Sequence, residues 1–501
     1  MSQGKSYGQI LRSSSIMGGA QAINYMVGLL RVKVVAVLLG PAGVGLVGLY
    51  SSATSLLGTV TGLGLQGSAV RAIAHAQGRD DPLAVARTIR MMRRLCWATG
   101  ILGWLTTILL AFPLSRWMFE SADHAWALAV LGGGLFLNTI TNGQLGLLQG
   151  LRRIGDIARV QVMGALLNTV VTIGLYAWLG ERGIVPVLLA NSAFSLLASW
   201  WFARRVQVPD VVMDWSQAVA EAKPMVSLGI AMMWSGMLTL LLDLFARSLI
   251  SRHTGLDAAG IYQAAWALSG MFAGFVLGAM GTDFYPRLTE AIHNREASSR
   301  AVNEQTEIGV LLALPGLLVT LGFAKWIVWL LYSAKFAPAT DALVWMMLGV
   351  YCRIVSWPMA YIQLALGAGR WYMATEAIFF AIQLALVSVL VPRLGVQGAA
   401  YAFAGCCALQ VVGMAWVSHR LIGFRWSAPA IRVLSASAVL VGLEFAINRV
   451  FDGIVASAFA ATVAVAGILW SLRNLASRLG AQHRLVHLML RVPGLRLVIG
   501  D

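Results

Sequence analysis

Charged side chains are scarce in this sequence. Asp, Glu, Lys and Arg make up only 12% of its 501 residues, whereas hydrophobic residues make up 58%. Soluble domains carry about 25% charged residues, so the composition excludes an ordinary soluble protein. Apolar runs of about 20 residues recur from end to end, each long enough to cross a bilayer as a helix. They lack the polar–apolar alternation of barrel strands, so the sequence predicts an all-α membrane protein.

Residue patterns typical of metal sites and enzymes are also missing. The four cysteines and seven histidines are scattered, with no Cys/His spacing that fits a metal, so we predict no metal and no cofactor. GxGxxG strings begin at Gly43 and Gly62, but they follow no predicted strand, and in spanning helices small residues allow close helix packing. We find no phosphate loop and no nucleophile elbow or kinase signature. The sequence therefore predicts no catalytic residue.

Fourteen apolar runs are the predicted membrane spans. The connections on the outer side are short, which leaves little room for a catalytic domain there. The spans lie at about residues 11–38, 43–66, 95–115, 125–149, 157–179, 184–203, 225–250, 260–284, 309–332, 341–366, 371–391, 396–419, 428–448 and 453–472.

A weak internal repeat groups these spans into two lobes of six helices. A shift of 215 residues superposes Gly40 on Gly255 and Gly45 on Gly260, each pair in a short outer turn. Two such lobes are a common plan of secondary transporters. The predicted regions are an N-terminal lobe (1–205), a C-terminal lobe (206–424), an extra helix pair (425–472) and a basic amphipathic cytoplasmic tail (473–501).

The distribution of basic residues predicts the orientation. With the N-terminus inside, the cytoplasmic segments and the cytoplasmic ends of the spans hold 26 of the 37 Lys and Arg residues, and the outer segments hold 6. Cytoplasmic loops are enriched in these residues, so we predict a multi-pass protein of the bacterial inner membrane with both termini in the cytoplasm. This bias accounts for the net charge of +16 without nucleic acid as a partner. The basic segments 67–94 and 473–499 are predicted to contact anionic membrane lipids.

Charged residues inside spans are the candidate functional residues. Each costs about 2.5–3.5 kcal/mol on insertion scales, so such residues tend to face a protein interior or a water-filled cavity. Arg353 lies near the middle of the tenth span, and Arg31 and Lys33 lie in the outer half of the first. Under the repeat, Arg247 of the seventh span matches position 32. Both lobes thus present cations at the same depth, which predicts a cationic cavity for an anion such as a phosphate or pyrophosphate.

Asp243 is the acidic residue best placed inside a span. It shares a face with Arg247 at i,i+4, which leaves two interpretations open. In one, the pair only neutralises itself. In the other, Arg247 faces the substrate and Asp243 titrates, coupling transport to an H⁺ or Na⁺ gradient. Asp283 and Arg287 lie at the cytoplasmic end of the eighth span and are predicted to form a gate or an interfacial pair.

Three stretches resemble the Wzx-type flippases. They are VKVVAVLLGPAGVGLVG from Val32, GIYQAAWALSGMFAGFVLGAMGTDFYPRLTEA from Gly260, and the run from Trp326 through WLLYSAKF. The similarity covers about residues 8–420. The Wzx-type proteins move lipid-linked oligosaccharides for O-antigen or enterobacterial common antigen. They belong to the multidrug/oligosaccharidyl-lipid/polysaccharide superfamily, together with multidrug and toxin extruders and peptidoglycan-precursor flippases.

This resemblance implies a function. An undecaprenyl-pyrophosphate-linked oligosaccharide, such as a lipopolysaccharide or exopolysaccharide repeat unit, would pass from the cytoplasmic to the periplasmic leaflet by alternating access. A polysaccharide polymerase and a chain-length regulator are implied partners. Arg31 falls where a similar flippase, that for enterobacterial common antigen, has an apolar residue, so the resemblance makes its role less secure. Residues of the same or like charge in the family match Lys33, Arg247 and Arg353 in the cavity and Lys335, Arg370 and Glu376 at a gate or interface.

Two alternatives remain open. A cation-coupled multidrug extruder would share the fold, but extruders favour an acidic cavity, whereas five basic residues lie deep in these spans. A membrane glycosyltransferase or polymerase would need substantial outer loops, and these are short. The predicted chain has one helix pair beyond the twelve-helix core, as the peptidoglycan-precursor flippases do.

Overall fold

The computed structural model describes residues 3–78, 81–206, 209, 211, 214–451 and 453–479. These ranges contain α-helices, two short 3₁₀ helices and no β-strand, which confirms the all-α prediction. The 3₁₀ helices are Gly180–Gly183 and Ala334–Phe336. The α-helices are α1 (Gln3–Gly62), α2 (Leu65–Gly78), α3 (Pro82–Phe119), α4 (Ala125–Gly150), α5 (Ile154–Leu179), α6 (Ile184–Ala203), α7 (Trp215–Thr254), α8 (Leu256–Ala291), α9 (Arg295–Gly322), α10 (Ala324–Leu331), α11 (Ala339–Ala365), α12 (Gly369–Leu394), α13 (Val396–Ile422), α14 (Ala428–Val450) and α15 (Gly453–Leu479).

Twelve helical stretches in the described ranges are long and apolar enough to cross a membrane. Two of them, Gly19–Gly62 and Ile154–Ala203, have 44 and 50 residues. At 1.5 Å per residue, each is roughly twice as long as a ~30 Å hydrocarbon core requires. Each holds two of the predicted spans, so the twelve stretches account for all fourteen. The chain is a multi-pass helical membrane protein.

Capping residues determine where several helices begin. The Asp81 side chain accepts hydrogen bonds from Leu83 N and Ala84 N, both at 3.0 Å, at the start of α3. Asn294 caps α9 in the same way, with Glu296 N at 3.0 Å and Ala297 N at 3.1 Å. A side-chain oxygen in this position satisfies amides that the first helical turn leaves unpaired. α9 therefore begins 14 residues before residue 309, where the predicted ninth span starts.

Glycines permit the breaks at two turns, which the sequence predicts to lie on the outer side. Within α1 the backbone leaves helical geometry at Gly40, with φ 66° and ψ −172°, directly before Pro41. Gly255, between α7 and α8, has φ 90°. Side-chain-bearing L-residues rarely adopt positive φ. These are the two glycines that the internal repeat superposes.

The chain divides into two compact units. The first contains Met1–Gly260 with Leu331–Ser333, and the second contains Ile261–Leu330 with Ala334–Asp501. In the first unit, a buried cluster joins α2, α3, α4 and α6 through residues that include Ile73, Met92 and Leu147. In the second, a cluster that includes Phe284 and Met359 joins α8, α9, α11 and α13. The four-region division predicted above stays a prediction.

Candidate functional site

A buried ion pair lies between α7 and α1 in the first unit. Arg247 Nη2 is 2.8 Å from Asp243 Oδ1, and the two side chains are only 7% and 10% exposed. Arg247 Nη1 donates a hydrogen bond to the Gly48 carbonyl at 3.1 Å and also contacts Ser52 Oγ. Ser52 Oγ in turn donates to Asp243 Oδ2 at 2.8 Å. The four residues form one connected cluster, because Gly48 and Ser52 of α1 contact the charged side chains of α7.

This arrangement bears on the two interpretations of Asp243 and Arg247. The Asp243 Oδ1 contact has the distance of an ion pair but not the direction of a hydrogen bond, and Arg247 Nε is buried without a hydrogen-bond partner in the described residues. A structural role requires that the two charges neutralise each other and that most of their polar atoms have partners, as they do here. A role for Arg247 in substrate binding, or for Asp243 in ion coupling, stays a prediction.

Close glycine contacts flank the pair along α1. A Cβ added to Gly45 would lie 2.7 Å from Gly260 N, and one added to Gly260 would lie 2.6 Å from the Pro41 carbonyl carbon. At the other end, a Cβ on Gly64 would lie 2.7 Å from Gly229 Cα. Real Cβ atoms essentially never approach within 3.0 Å. The prediction that these GxGxxG strings serve close helix packing is confirmed for Gly45, whereas Gly64 lies in the turn between α1 and α2, where it approaches Gly229 of α7.

The remaining predicted cavity cations lie on two helices. Arg31 and Lys33 are half-buried on α1, and Arg31 is within electrostatic range of Tyr176 on α5. Arg353, in the second unit, is exposed on α11. It lies within electrostatic range of Cys406 and Cys407 on α13. Among the predicted cavity and coupling residues, Asp243 and Arg247 are brought into a direct ion pair.

The predicted gate or interfacial residues occupy the second unit. Arg287 on α8 is 3.7 Å from Glu304 on α9, and both side chains are about half exposed. The Asp283 side chain lies outside the described residues, so its pairing with Arg287 stays a prediction. Lys335 and Arg370 are exposed, and Glu376 on α12 is half-buried.

Two acidic residues that the sequence did not single out for function are buried in the second unit. Glu307 on α9 accepts from Arg478 of α15, with Arg478 Nε and Nη2 both 2.7 Å from Glu307 Oε2. Glu444 on α14 is fully buried against Gly322. Neither Glu444 carboxylate oxygen has a hydrogen-bond partner among the described residues. A carboxylate within an apolar run was the available signal for Glu444, but its position near a span end concealed it. Glu307 precedes its apolar run and gave no such signal.

The fold is similar to that of solved transporters. A lipid II flippase in an inward closed conformation matches with a TM-score of 0.69 and 12% identity, covering 92% of this chain and 99% of that one. An inward-facing multidrug resistance MATE family transporter of the MOP superfamily matches with a TM-score of 0.64 and 18% identity, covering 83% and 96%. These matches define the class: a helical membrane protein with the MOP superfamily fold.

Sequence relatives narrow this class to a family. The lipid III flippase of Escherichia coli (strain K12) is 23% identical over 384 residues, which cover 75% of this chain and 90% of the relative. The lipid III flippase of Shigella flexneri matches equally well. Residues 10–292 match the family described as polysaccharide biosynthesis protein. This match spans more than half of the chain, which therefore belongs to that family. The predicted resemblance to the Wzx-type flippases is confirmed.

Proposed function

We propose that this chain is a flippase that carries a lipid-linked oligosaccharide across the bacterial inner membrane. The observation that carries the proposal is the similarity to lipid III flippases over 90% of their length, within a family of polysaccharide biosynthesis proteins. A match of this extent includes nearly all of the relative's spans rather than one shared motif. The chain is accordingly a transporter and not an enzyme.

The finer substrate is an undecaprenyl-pyrophosphate-linked oligosaccharide. A pyrophosphate needs cations along its path, and cations inside a membrane tend to face a protein interior or a water-filled cavity. Lys33 and Arg353 are the first candidates for this role, with Arg31 as the third. Arg247 is a weaker candidate than the sequence suggested, because Asp243, Gly48 and Ser52 already engage its guanidinium.

The direction of transport depends on the orientation of the chain. We propose that both termini are cytoplasmic, because this orientation places 26 Lys and Arg residues on the cytoplasmic side, where such residues are enriched. A cytoplasmic reporter fused after residue 80 or residue 300 should then be active, and a periplasmic reporter at the same positions should be silent. A polysaccharide polymerase and a chain-length regulator would act on the product in the periplasm.

A multidrug extruder is the second candidate function, because the MATE family transporter shares the fold. The family match to polysaccharide biosynthesis proteins and the cationic character of the spans favour the flippase. The two proposals differ in the charge of the cargo, since an extruder would carry an apolar cation.

Transport in liposomes tests the proposal. Purified protein, without ATP, should move a fluorescent pyrophosphate-linked lipid oligosaccharide between leaflets. Arg353→Ala should reduce this rate at least about tenfold, whereas Arg182→Ala, a matched loss of an exposed arginine in an outer 3₁₀ turn, should leave it unchanged. Transport of a cationic dye with no movement of any lipid-linked glycan would favour the extruder instead.

A further inference from the structure

A polar pocket of about 1080 Å³ opens at one end of the second unit. Its walls come from the first turns of α9, the end of α13, the α13–α14 loop, the start of α14 and the end of α15. By the predicted orientation this end faces the cytoplasm. The aromatic residues of the same loop, Phe424 and Trp426, pack edge to face at 5.0 Å. Tryptophans concentrate at the level of lipid headgroups, which places the pocket mouth at the membrane surface.

Partly buried hydrogen bonds join the elements that form the floor of the pocket. The Asn303 side chain, 4% exposed, donates through Nδ2 to the Arg425 carbonyl at 3.0 Å. Its Oδ1 accepts from Ser427 N at 2.9 Å. Ser427 Oγ then caps α14 by accepting from Ala430 N at 3.2 Å. Asn303 therefore ties the α13–α14 loop to α9 and fixes the position of Arg425.

The acidic residues of the pocket are largely neutralised. Glu307 is paired with Arg478 at 2.7 Å, and Glu304 lies 3.7 Å from Arg287, which does not line the pocket. Glu296, in the first turn of α9, is the remaining lining acid in the described part of the chain. No carboxylate in that part pairs with the lining arginines Arg295, Arg300 and Arg425.

The positive charge has a second source. α9 and α14 both begin at the pocket, and helix N-termini carry partial positive charge that acidic residues usually balance. Arg295 is the first residue of α9, whose first turn also holds Glu296. Arg425 lies three residues before Ala428, where α14 begins, and the first turn of α14 has no acidic residue. Three arginines beside two helix N-termini give this end of the pocket a positive potential that favours an anion. Guanidinium groups bind phosphate oxygens through paired hydrogen bonds.

We propose that this pocket binds a phosphate-bearing anion at the membrane surface, held by Arg295, Arg300 and Arg425. Its position beside Trp426 suits the phosphate of a lipid headgroup, whose acyl chains would remain in the bilayer. The inference does not depend on the flippase activity, because it concerns binding at equilibrium.

Titration of the purified, dye-labelled full chain tests this site. The probes are mixed micelles of phosphatidylglycerol, matched micelles of zwitterionic phosphatidylcholine, and inorganic pyrophosphate alone. The triple variant Arg295→Gln, Arg300→Gln, Arg425→Gln should bind phosphatidylglycerol at least about tenfold more weakly, since each lost charge-assisted hydrogen bond alone accounts for such a factor. The control is Arg432→Gln, which removes an exposed arginine of α14 that does not line the pocket and should change affinity less than about twofold.

The outcomes separate the sources of the phosphate. Binding of phosphatidylglycerol but not pyrophosphate identifies a lipid headgroup, and equal binding of pyrophosphate identifies a soluble anion at the same arginines. Equal binding of both kinds of micelle, or equal loss in the control and the triple variant, would overturn the proposal. Arg300→Glu, a single exposed change, provides a second test and should abolish binding while thermal unfolding without lipid stays unchanged.

Discussion

Gly45 and Gly260 meet backbone to backbone: a Cβ on Gly45 would lie 2.7 Å from the Gly260 amide nitrogen. They are also the two glycines that a 215-residue shift superposes. Equivalent positions of an internal repeat therefore touch each other, as expected when two similar elements pack symmetrically. Gly40 and Gly255, five residues earlier, both adopt positive φ, so the two superposed turns also share this backbone feature.

The first prediction concerns this contact. Gly260→Ala should lower the melting temperature of the purified protein, because overpacking a tight contact costs about 1–3 kcal/mol. Gly270→Ala is the matched control on α8, since no atom lies within 4 Å of its added Cβ. It should be neutral or slightly stabilising, as Ala favours helix over Gly by up to about 1 kcal/mol. Equal melting temperatures for the two variants would contradict the close contact.

The second prediction separates pairing from transport at Arg247. Arg247→Ala leaves the Asp243 carboxylate buried without its partner, a change that costs about 3–5 kcal/mol when a buried pair is broken. We expect low abundance in membranes and a reduced melting temperature. The double variant Asp243→Ala, Arg247→Ala should recover much of both. Transport assayed on the double variant then decides the role: recovery shows a structural pair, and a stable but inactive protein shows that one of the two charges acts on substrate or ion.

The third prediction compares two buried acids. Glu444→Gln should leave abundance and melting temperature unchanged or raised, because no described residue pairs with or donates to its carboxylate and an isosteric neutral group is easier to bury. Asp243→Asn should destabilise, because it removes one charge of a pair at 2.8 Å. Thermal unfolding of both variants in one detergent makes the comparison. A larger loss at Glu444 would show that this carboxylate has a binding partner of its own.

The fourth prediction concerns pH at the turn before α4. His124 Nδ1 lies 2.7 Å from the Tyr50 hydroxyl, and its ring stacks on Phe119 at 4.0 Å. Burial lowers the pKa of His124, and Asp123 partly opposes this shift. The unfolded chain then binds more protons near the ordinary histidine value of about 6.5, so stability rises with pH and is lost as pH falls through that value.

Replacement of the imidazole tests this sign. His124→Phe keeps an aromatic ring on Phe119 but cannot titrate, so its melting temperature should fall less between pH 7.5 and pH 5.5 than that of the unaltered protein. The matched control is His253→Phe, an exposed histidine near the end of α7. A steeper pH dependence in His124→Phe would reverse the assignment.

Several of these features follow from the sequence, and others need the folded chain. Apolar runs predict helices, because a segment within lipid must satisfy the hydrogen bonds of its own backbone. The spacing of glycines indicated where helices approach one another. The partner of Asp243 on α1 could not be found this way, because Ser52 lies 191 residues away and any small polar residue of α1 would have served equally. The start of α9 was missed for another reason: its polar first turns read as a loop until Asn294 is seen to cap them.

The break at Gly40 has a practical consequence for mapping this protein. The two halves of α1 have no loop between them, and Pro41 already touches Gly260. An epitope or reporter inserted there would interrupt the helix whose location it is meant to report. A single added thiol suits this turn better, for example Asp257→Cys at an exposed position nearby, probed with a maleimide that cannot cross the membrane. Three of the four native cysteines are buried and Cys352 is half-buried, so background labelling of the unaltered chain should be low.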